Sequence, residues 1–235
     1  MNAVAFVHSH ERTPGVWRAV ADHLPPHWAV VAPDLFAAVC THDAGARAGS
    51  DAAACRKAML AQINRDLAMM GLTEPVLVVG EGTGAIAAIQ YAAEHPGWVA
   101  GLFLSGPRLH VSRAEAVRLK VGVRIRRGQE CAADAGDAGR YLDAIVGVDA
   151  AGVAPDLSVP RMAVAAAKDR GGMKAATALK NGAAQRNTVN AVGTVEGMAA
   201  DAGWEYGVVP EASQDWYAYA PSAFAAWLTD FAGRL

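Results

Sequence analysis

The sequence has few cysteines, little net charge and no long apolar run, and each of these excludes a class of protein. The three cysteines, Cys40, Cys55 and Cys131, are odd in number and lack metal-ligand spacing, so neither a disulfide framework nor a metal site is predicted. With 21 basic and 23 acidic residues, the net charge of −2 gives no overall attraction for nucleic acid or a bilayer. No run of about 18 apolar residues suggests a membrane span, and the chain opens on a predicted strand rather than a signal peptide. We therefore expect a cytoplasmic protein.

Histidine is missing from more than half of the chain. The last of the seven histidines is His110, so residues 111–235 contain no imidazole. Imidazole is the side chain best suited to proton transfer near neutral pH. A general base from the C-terminal half would therefore have to be another residue type.

The pattern that is present is an alternation of short apolar strands and helical stretches. This alternation predicts an α/β fold with a mostly parallel sheet and helices on both faces. A length of 235 residues is sufficient for a full hydrophobic core. We expect residues 1–235 to form a single domain.

One segment of this pattern carries a chemical motif. Residues 75–90 read PVLVVGEGTGAIAAIQ, which is an apolar strand, a tight glycine turn and a helix of small residues. The layout resembles the nucleophile elbow of α/β-hydrolases, Gly-x-Ser-x-Gly, in which a sharp turn lifts the serine hydroxyl above the sheet. Gly80 and Gly84 match the flanking glycines, and Gly82 stands at the position of the nucleophile. The resemblance therefore implies that the usual acyl-enzyme cannot form.

Further segments resemble the same family in the same order. Residues 4–10 are similar to its first core strand and oxyanion loop, and residues 159–169 and 208–215 are similar to the strands that present the triad acid and histidine. This match places Asp169 at the acid position and Gln214 at the histidine position. It covers most of the chain except about 108–158 and 170–203, and it implies that 108–158 is a lid inserted between core strands.

A second interpretation of the glycine turn is a dinucleotide site, because residues 80–85 also satisfy G-x-G-x-x-A after a strand. That fingerprint expects an acidic residue about 20 positions later. The chain has Ser105, Gly106 and Pro107 there. We therefore predict no cofactor.

The loss of serine and histidine leaves four candidates for catalytic work. His10, on the first loop, is the best candidate base. Thr83 follows the vacated position and is expected to supply an oxyanion-hole N–H, together with His10 or a neighbouring residue of the first loop. Its side chain is a poor candidate nucleophile, because an elbow projects only one side chain. Gln214 is expected to act by positioning a substrate group. Asp169 either meets a substrate group or another side chain directly, or is inherited scaffolding. The interpretation requires that no other hydroxyl contacts an imidazole at the site.

Five residues are expected to contact substrate. Ser9 replaces the glycine usual in the family's first loop, and Glu81 precedes the turn. The aromatic stretch at 216–219 is suited to lining a pocket or, equally, to packing the last helix. The expected contacts are Ser9, Glu81, Gly82, Ser105 and Trp216.

The lid contains a basic segment, residues 117–127, in which apolar and basic residues alternate. Period two favours a strand, whereas lids of the family are mostly helical, so its secondary structure stays open. The segment is either a solvated face or a docking patch for an acidic partner such as an acyl-carrier protein. The basic residues are Arg118, Lys120, Arg124, Arg126 and Arg127.

Three functions are consistent with these residues. The first is direct transfer of an activated acyl group, such as a thioester, without an acyl-enzyme, for which high alanine content suggests a bacterial natural-product pathway. The second is a catalytically inactive binding protein. The third is a lyase, cyclase or isomerase, because the fold does not fix the reaction.

Overall fold

The computed structural model describes residues 2–43, 52–125, 131–184 and 203–235. Six strands are present in these ranges: β1 (Ala3–Val7), β2 (Ala29–Val31), β3 (Val76–Glu81), β4 (Val99–Ser105), β5 (Arg161–Ala166) and β6 (Trp204–Val209). The α-helices are α1 (Arg18–Ala21), α2 (Leu35–Asp43), α3 (Ala52–Met69), α4 (Gly84–Glu94), α5 (Arg113–Ile125), α6 (Ala135–Ile145), α7 (Ala150–Val153), α8 (Arg170–Ala184), α9 (Trp216–Tyr219) and α10 (Pro221–Ala232).

The strands form one sheet in the order β2-β1-β3-β4-β5-β6, and every neighbouring pair is parallel. Val7 pairs with Gly80, and Gly80 pairs with Leu104. The carboxyl ends of β1, β3 and β4 therefore lie side by side, and the loops that follow them meet at one edge. The predicted α/β fold with a mostly parallel sheet is confirmed.

Two hydrophobic cores cover the two faces of the sheet. Alternate residues of a strand point to opposite faces, so Val78 joins one core while Leu77 and Val79 join the other. The first core takes side chains from α3 and α4, such as Ile63. The second takes side chains from α10, such as Phe224. The helices thus lie on both faces, as the strand pattern predicts.

Helices α5, α6 and α7 lie between β4 and β5, within the region expected to be a lid. The basic segment of this region is helical as far as it is described, since α5 runs to Ile125. The period-two alternation therefore does not correspond to a strand in this segment. Val117, Val121 and Ile125 are four residues apart, so the same letters also satisfy a helical repeat.

None of the helices in the described ranges is long and apolar enough to cross a membrane.

Candidate active site

The turn between β3 and α4 has the backbone form of a nucleophile elbow. Gly82 adopts φ +53°, a left-handed conformation that favours glycine. A Cβ on Gly84 would lie 2.5 Å from the carbonyl oxygen of Val7, and one on Gly80 would lie 2.8 Å from the Cβ of Ala88. The flanking glycines are therefore required because α4 packs directly against β1 and β3.

The space above Gly82 is bordered by two polar side chains. A Cβ at this position would lie 3.3 Å from the Cβ of Ser9, 3.9 Å from its hydroxyl oxygen and 3.4 Å from Nε2 of Gln214. Gln214 therefore faces the vacated nucleophile position, where the sequence comparison places the histidine of the family. Ser9, in place of a glycine, partly fills the space that a nucleophile would need.

Asp169 lies near Gln214, in the segment between β5 and α8. Its Oδ1 accepts hydrogen bonds from the backbone N–H of Gly171 (3.1 Å) and Gly172 (3.0 Å), which caps α8. Its Oδ2 is buried and has no hydrogen-bond partner among the described residues. A Cβ on Gly106 would lie 3.0 Å from this Oδ2 and 3.8 Å from Cγ of Gln214, so both side chains border the same glycine. Asp169 and Gln214 therefore lie close together at Gly106.

A hydroxyl does contact an imidazole at this site, contrary to the sequence-based expectation. Oγ1 of Thr83 lies 3.0 Å from Nδ1 of His10, and both residues are buried. Thr83 is the residue after the vacated position, and its side chain points under the first loop. The expectation that the site lacks such a pair is therefore wrong, and a covalent route through Thr83 needs a direct test.

The same contact changes the expected oxyanion hole. The backbone N–H of His10, expected to be one of its two donors, donates instead to Oγ1 of Thr83 at 3.0 Å. The backbone N–H of Thr83 is the other expected donor, and it makes no hydrogen bond within the described ranges. It lies at the N-terminus of α4, where backbone dipoles favour negative charge. One donor is thus open and the other is covered by a side chain.

His8 has a structural role. Its Nε2 accepts a hydrogen bond from the backbone N–H of Leu35 at 3.1 Å, while its Nδ1 lies 2.9 Å from the carbonyl oxygen of Ser9 and donates to it. Burial lowers the pKa of His8, which keeps the ring neutral. Tyr141 of α6 donates to the carbonyl oxygen of His8 at 3.0 Å and so connects α6 to the first loop.

A second polar cluster lies around Glu81, the last residue of β3. Glu81 points to the same face of β3 as Leu77 and Val79 and is only 1% exposed. Nearby, Arg12 of the first loop donates to Oδ2 of Asp215 at 2.6 Å. Burial, with a smaller contribution from Asp215, raises the pKa of Glu81 to about 7. A carboxyl group with this pKa can both accept and release a proton near neutral pH.

Two residues expected to contact substrate are buried and bonded to each other. Trp216 is 2% exposed and packs on Phe224, with ring centroids 4.8 Å apart. Its Nε1–H donates to Oγ of Ser105, which is fully buried, at 3.0 Å. Each side chain thus satisfies the other's polar group, and the contact of Trp216 and Ser105 with substrate stays a prediction.

The basic lid segment presents a mixed surface on α5. Val117, Val121 and Ile125 are exposed to 63%, 50% and 79%, and Arg118 and Arg124 are exposed beside them. Lys120 forms an ion pair with Asp143 of α6 at 2.7 Å. The remaining two residues of the predicted patch, Arg126 and Arg127, lie outside the described residues.

Sequence reasoning missed the polar partners around Glu81 and the lid residue Tyr141. Arg12 lies two residues after His10, and Asp215 directly follows Gln214, so opposite charges stand on two loops that were both expected to border the elbow. That juxtaposition could have indicated the Arg12–Asp215 ion pair. No sequence signal marks Tyr141, whose position depends on how the lid packs.

No protein-family model and no curated protein matches the sequence. Solved structures match it over nearly its whole length. An enol-lactonase from Burkholderia xenovorans LB400 aligns with TM-score 0.70 and 14% identity, covering 99% of this chain and 91% of that chain. MenH from S. aureus aligns with TM-score 0.71 and 10% identity, covering 99% and 94%. NosK from Streptomyces actuosus aligns with TM-score 0.67 and 19% identity, covering 98% and 96%. At such identities the likeness establishes a shared fold.

Proposed function

We propose that this chain, which has the α/β-hydrolase fold, transfers an acyl group directly from a thioester to a second bound substrate without forming an acyl-enzyme. One observation carries the proposal. The elbow backbone is intact, yet glycine stands at the nucleophile position and the amide of Gln214 faces it where an imidazole would be. The site is therefore shaped around a reacting carbonyl but lacks the side chain that would be acylated at this position.

The groups that remain are suited to polarising a carbonyl. Nε2 of Gln214 borders the space above Gly82, and the backbone N–H of Thr83 directly follows Gly82 at the start of α4. Donors placed where negative charge develops typically contribute about 3 kcal/mol each to the transition state. Holding donor and acceptor in line supplies a further 7–11 kcal/mol or so of the barrier. A thioester needs little more, because a thiolate is a good leaving group.

We further propose that the acyl donor is delivered on an acidic carrier protein that docks on α5. The exposed apolar residues of α5, flanked by Arg118 and Arg124, offer both contact area and positive charge to an acidic helix. Replacing both arginines by glutamate is expected to raise KM for a carrier-bound donor at least tenfold and to leave a free pantetheine thioester unaffected. An equal effect on both donors would refute the docking role.

A second candidate is a binding protein without catalytic activity. It is favoured by the contact of Thr83 with the backbone N–H of His10, which covers one of the two expected oxyanion donors. Ser9 also narrows the space above Gly82. Such a protein would bind an acyl thioester and release it unchanged.

The experiment is acyl transfer from acyl-pantetheine thioesters to thiol, amine and alcohol acceptors, followed by mass spectrometry of product and of intact protein. Direct transfer predicts a product that requires both substrates and a protein mass that never increases by the acyl group. An acyl adduct on the protein would contradict the proposal. Saturable thioester binding with no transfer to any acceptor would favour the second candidate.

A further inference from the structure

The lost histidine leaves the site without its usual proton acceptor, although direct transfer to a thiol, amine or alcohol still has to remove a proton from the acceptor. Gln214 cannot take up that proton at physiological pH. His10 directs Nδ1 toward Thr83, to which its own backbone N–H is also bound. This contact turns the His10 ring toward Thr83, so other groups that border Gly82 are also candidates for the proton acceptor.

Glu81 is the carboxyl group nearest to the vacated position in sequence. It is fully buried at the end of β3, and neither of its oxygens has a hydrogen bond of normal geometry within the described ranges. The hydroxyl and backbone N–H of Ser9 are nevertheless close enough to favour its ionised form. A buried carboxyl group without a fixed partner is costly to maintain for stability alone, which points to a role beyond packing.

Ser9 connects this carboxyl group to the reacting space. Its hydroxyl oxygen lies 3.9 Å from where a Cβ on Gly82 would stand, and this oxygen is also buried without a hydrogen-bond partner in the described part of the chain. The Ser9 hydroxyl thus lies near Gly82, and Ser9 also acts on the buried carboxyl group of Glu81. A hydroxyl can accept a proton on one side and donate one on the other.

We propose that Glu81 is the proton acceptor for acyl transfer and that the hydroxyl of Ser9 relays the proton to it. This inference rests on the proposed function. In the step, the acceptor's heteroatom forms a bond to the carbonyl carbon while its proton passes to Ser9 and the Ser9 proton passes to the carboxylate of Glu81. The carbon–sulfur bond then breaks, and the departing thiolate takes a proton back from Glu81 by the same path. Atoms and charge balance without another reactant.

The charged surroundings of Glu81 suit this role. Arg12 of the first loop stabilises the carboxylate, whereas Asp215, next to α9, disfavours it. Two buried phenols also act on the group electrostatically: Tyr141 from α6 and Tyr217 from α9, both with pKa values raised by burial. The balance places the pKa of Glu81 near 7, so the group is partly ionised where the reaction would run.

The test combines a kinetic and a spectroscopic measurement. In wild-type protein, the acyl-transfer rate is expected to rise with pH through an inflection near 7, and E81Q is expected to lower kcat at least about 100-fold and abolish the inflection. S9A should lose a similar factor and S9T should recover most of it, because threonine keeps the hydroxyl. E94Q is the matched control, since Glu94 is an exposed carboxyl group on α4, and it should match the wild type.

Infrared titration of the carboxyl band supplies a measurement that does not depend on activity. Wild-type protein should show a protonated carboxyl group that disappears as pH rises through about 7 and that is absent from E81Q. A Glu81 that stays ionised from pH 5 to 9, or an E81Q variant with unchanged kcat and pH profile, would overturn the role of Glu81 and leave direct transfer standing. Absence of any transfer by wild-type protein would refute the proposed function and the proton relay together.

Discussion

The contact between Thr83 and His10 gives the most decisive prediction, which concerns the Thr83→Val variant. Valine keeps the shape of threonine but removes Oγ1, to which the backbone N–H and Nδ1 of His10 are bound at 3.0 Å each. Leaving two buried polar groups unsatisfied costs about 1–3 kcal/mol each. The additional buried methyl group of valine offsets part of this cost, so the free energy of unfolding should fall by about 2–4 kcal/mol. For a chain of this size, that corresponds to a decrease in Tm of roughly 5–15 °C.

The matched control is Thr83→Ser, which keeps the hydroxyl and should cost only about 1 kcal/mol for the lost methyl. Urea unfolding followed by tryptophan fluorescence measures both stabilities. If Thr83 only holds the first loop, the valine variant should transfer acyl groups at least as fast as wild type, because the His10 N–H becomes available to the substrate carbonyl. An acyl adduct that maps to Thr83, persists in the serine variant and disappears in the valine variant would refute direct transfer. Thr83 and His10 would then be a nucleophile and its base.

Three further predictions concern the elbow and its buried carboxyl group. The Gly82→Ser variant alone should not hydrolyse p-nitrophenyl esters. The double variant Gly82→Ser with Gln214→His should hydrolyse them through an acyl-serine that mass spectrometry can detect. Hydrolysis by the single variant would contradict the view that the site lacks a base for a serine at position 82. Gly84→Ala should lower Tm sharply, since its Cβ would lie within 2.5 Å of a backbone oxygen, whereas Gly97→Ala, with nothing within 4 Å, should be neutral in thermal unfolding. For Glu81, a rise in pKa from 4.5 to about 7 means that stability relative to E81Q falls by roughly 3 kcal/mol as pH increases over this interval, measured by unfolding at each pH. A constant difference would show that the folded and unfolded pKa values are equal.

The fold can be predicted closely from the sequence because strands, helices and tight turns are each marked by residues that are near one another in the chain. Gly80 and Gly84 mark positions where a helix packs on strands without room for a side chain, and such positions survive even when the residue between them changes. In the basic segment at 117–125, by contrast, neighbouring residues do not determine the secondary structure. Alternation at 117–125 favours a strand, yet Ala116 and Val123 are buried on one side of a helix while Val117 and Val121 face solvent. A pattern with both periods can be resolved only by the packing of α5 on α6.

The site is only partly predictable for a related reason. Asp169 and Gln214 both border Gly106, because each follows a strand whose register fixes where the strand ends. The direction of a loop side chain is not fixed in this way. The side chain of Thr83 contacts the ring of His10, whereas the indole of Trp216 donates a hydrogen bond to Ser105. Both outcomes depend on contacts more than 70 residues apart in the chain.

The neutral ring of His8 has a consequence for how the protein tolerates acid. Below a pH of about 6.5, the unfolded chain takes up a proton at this residue that the folded ring resists, so acidification weakens the folded state. Glu81 acts in the opposite direction across the same interval, because its folded form holds a proton that the unfolded form has already lost. The imidazole and the carboxyl group therefore act in opposite directions on the pH dependence of stability. Removing either group should reveal the pH dependence that the other contributes.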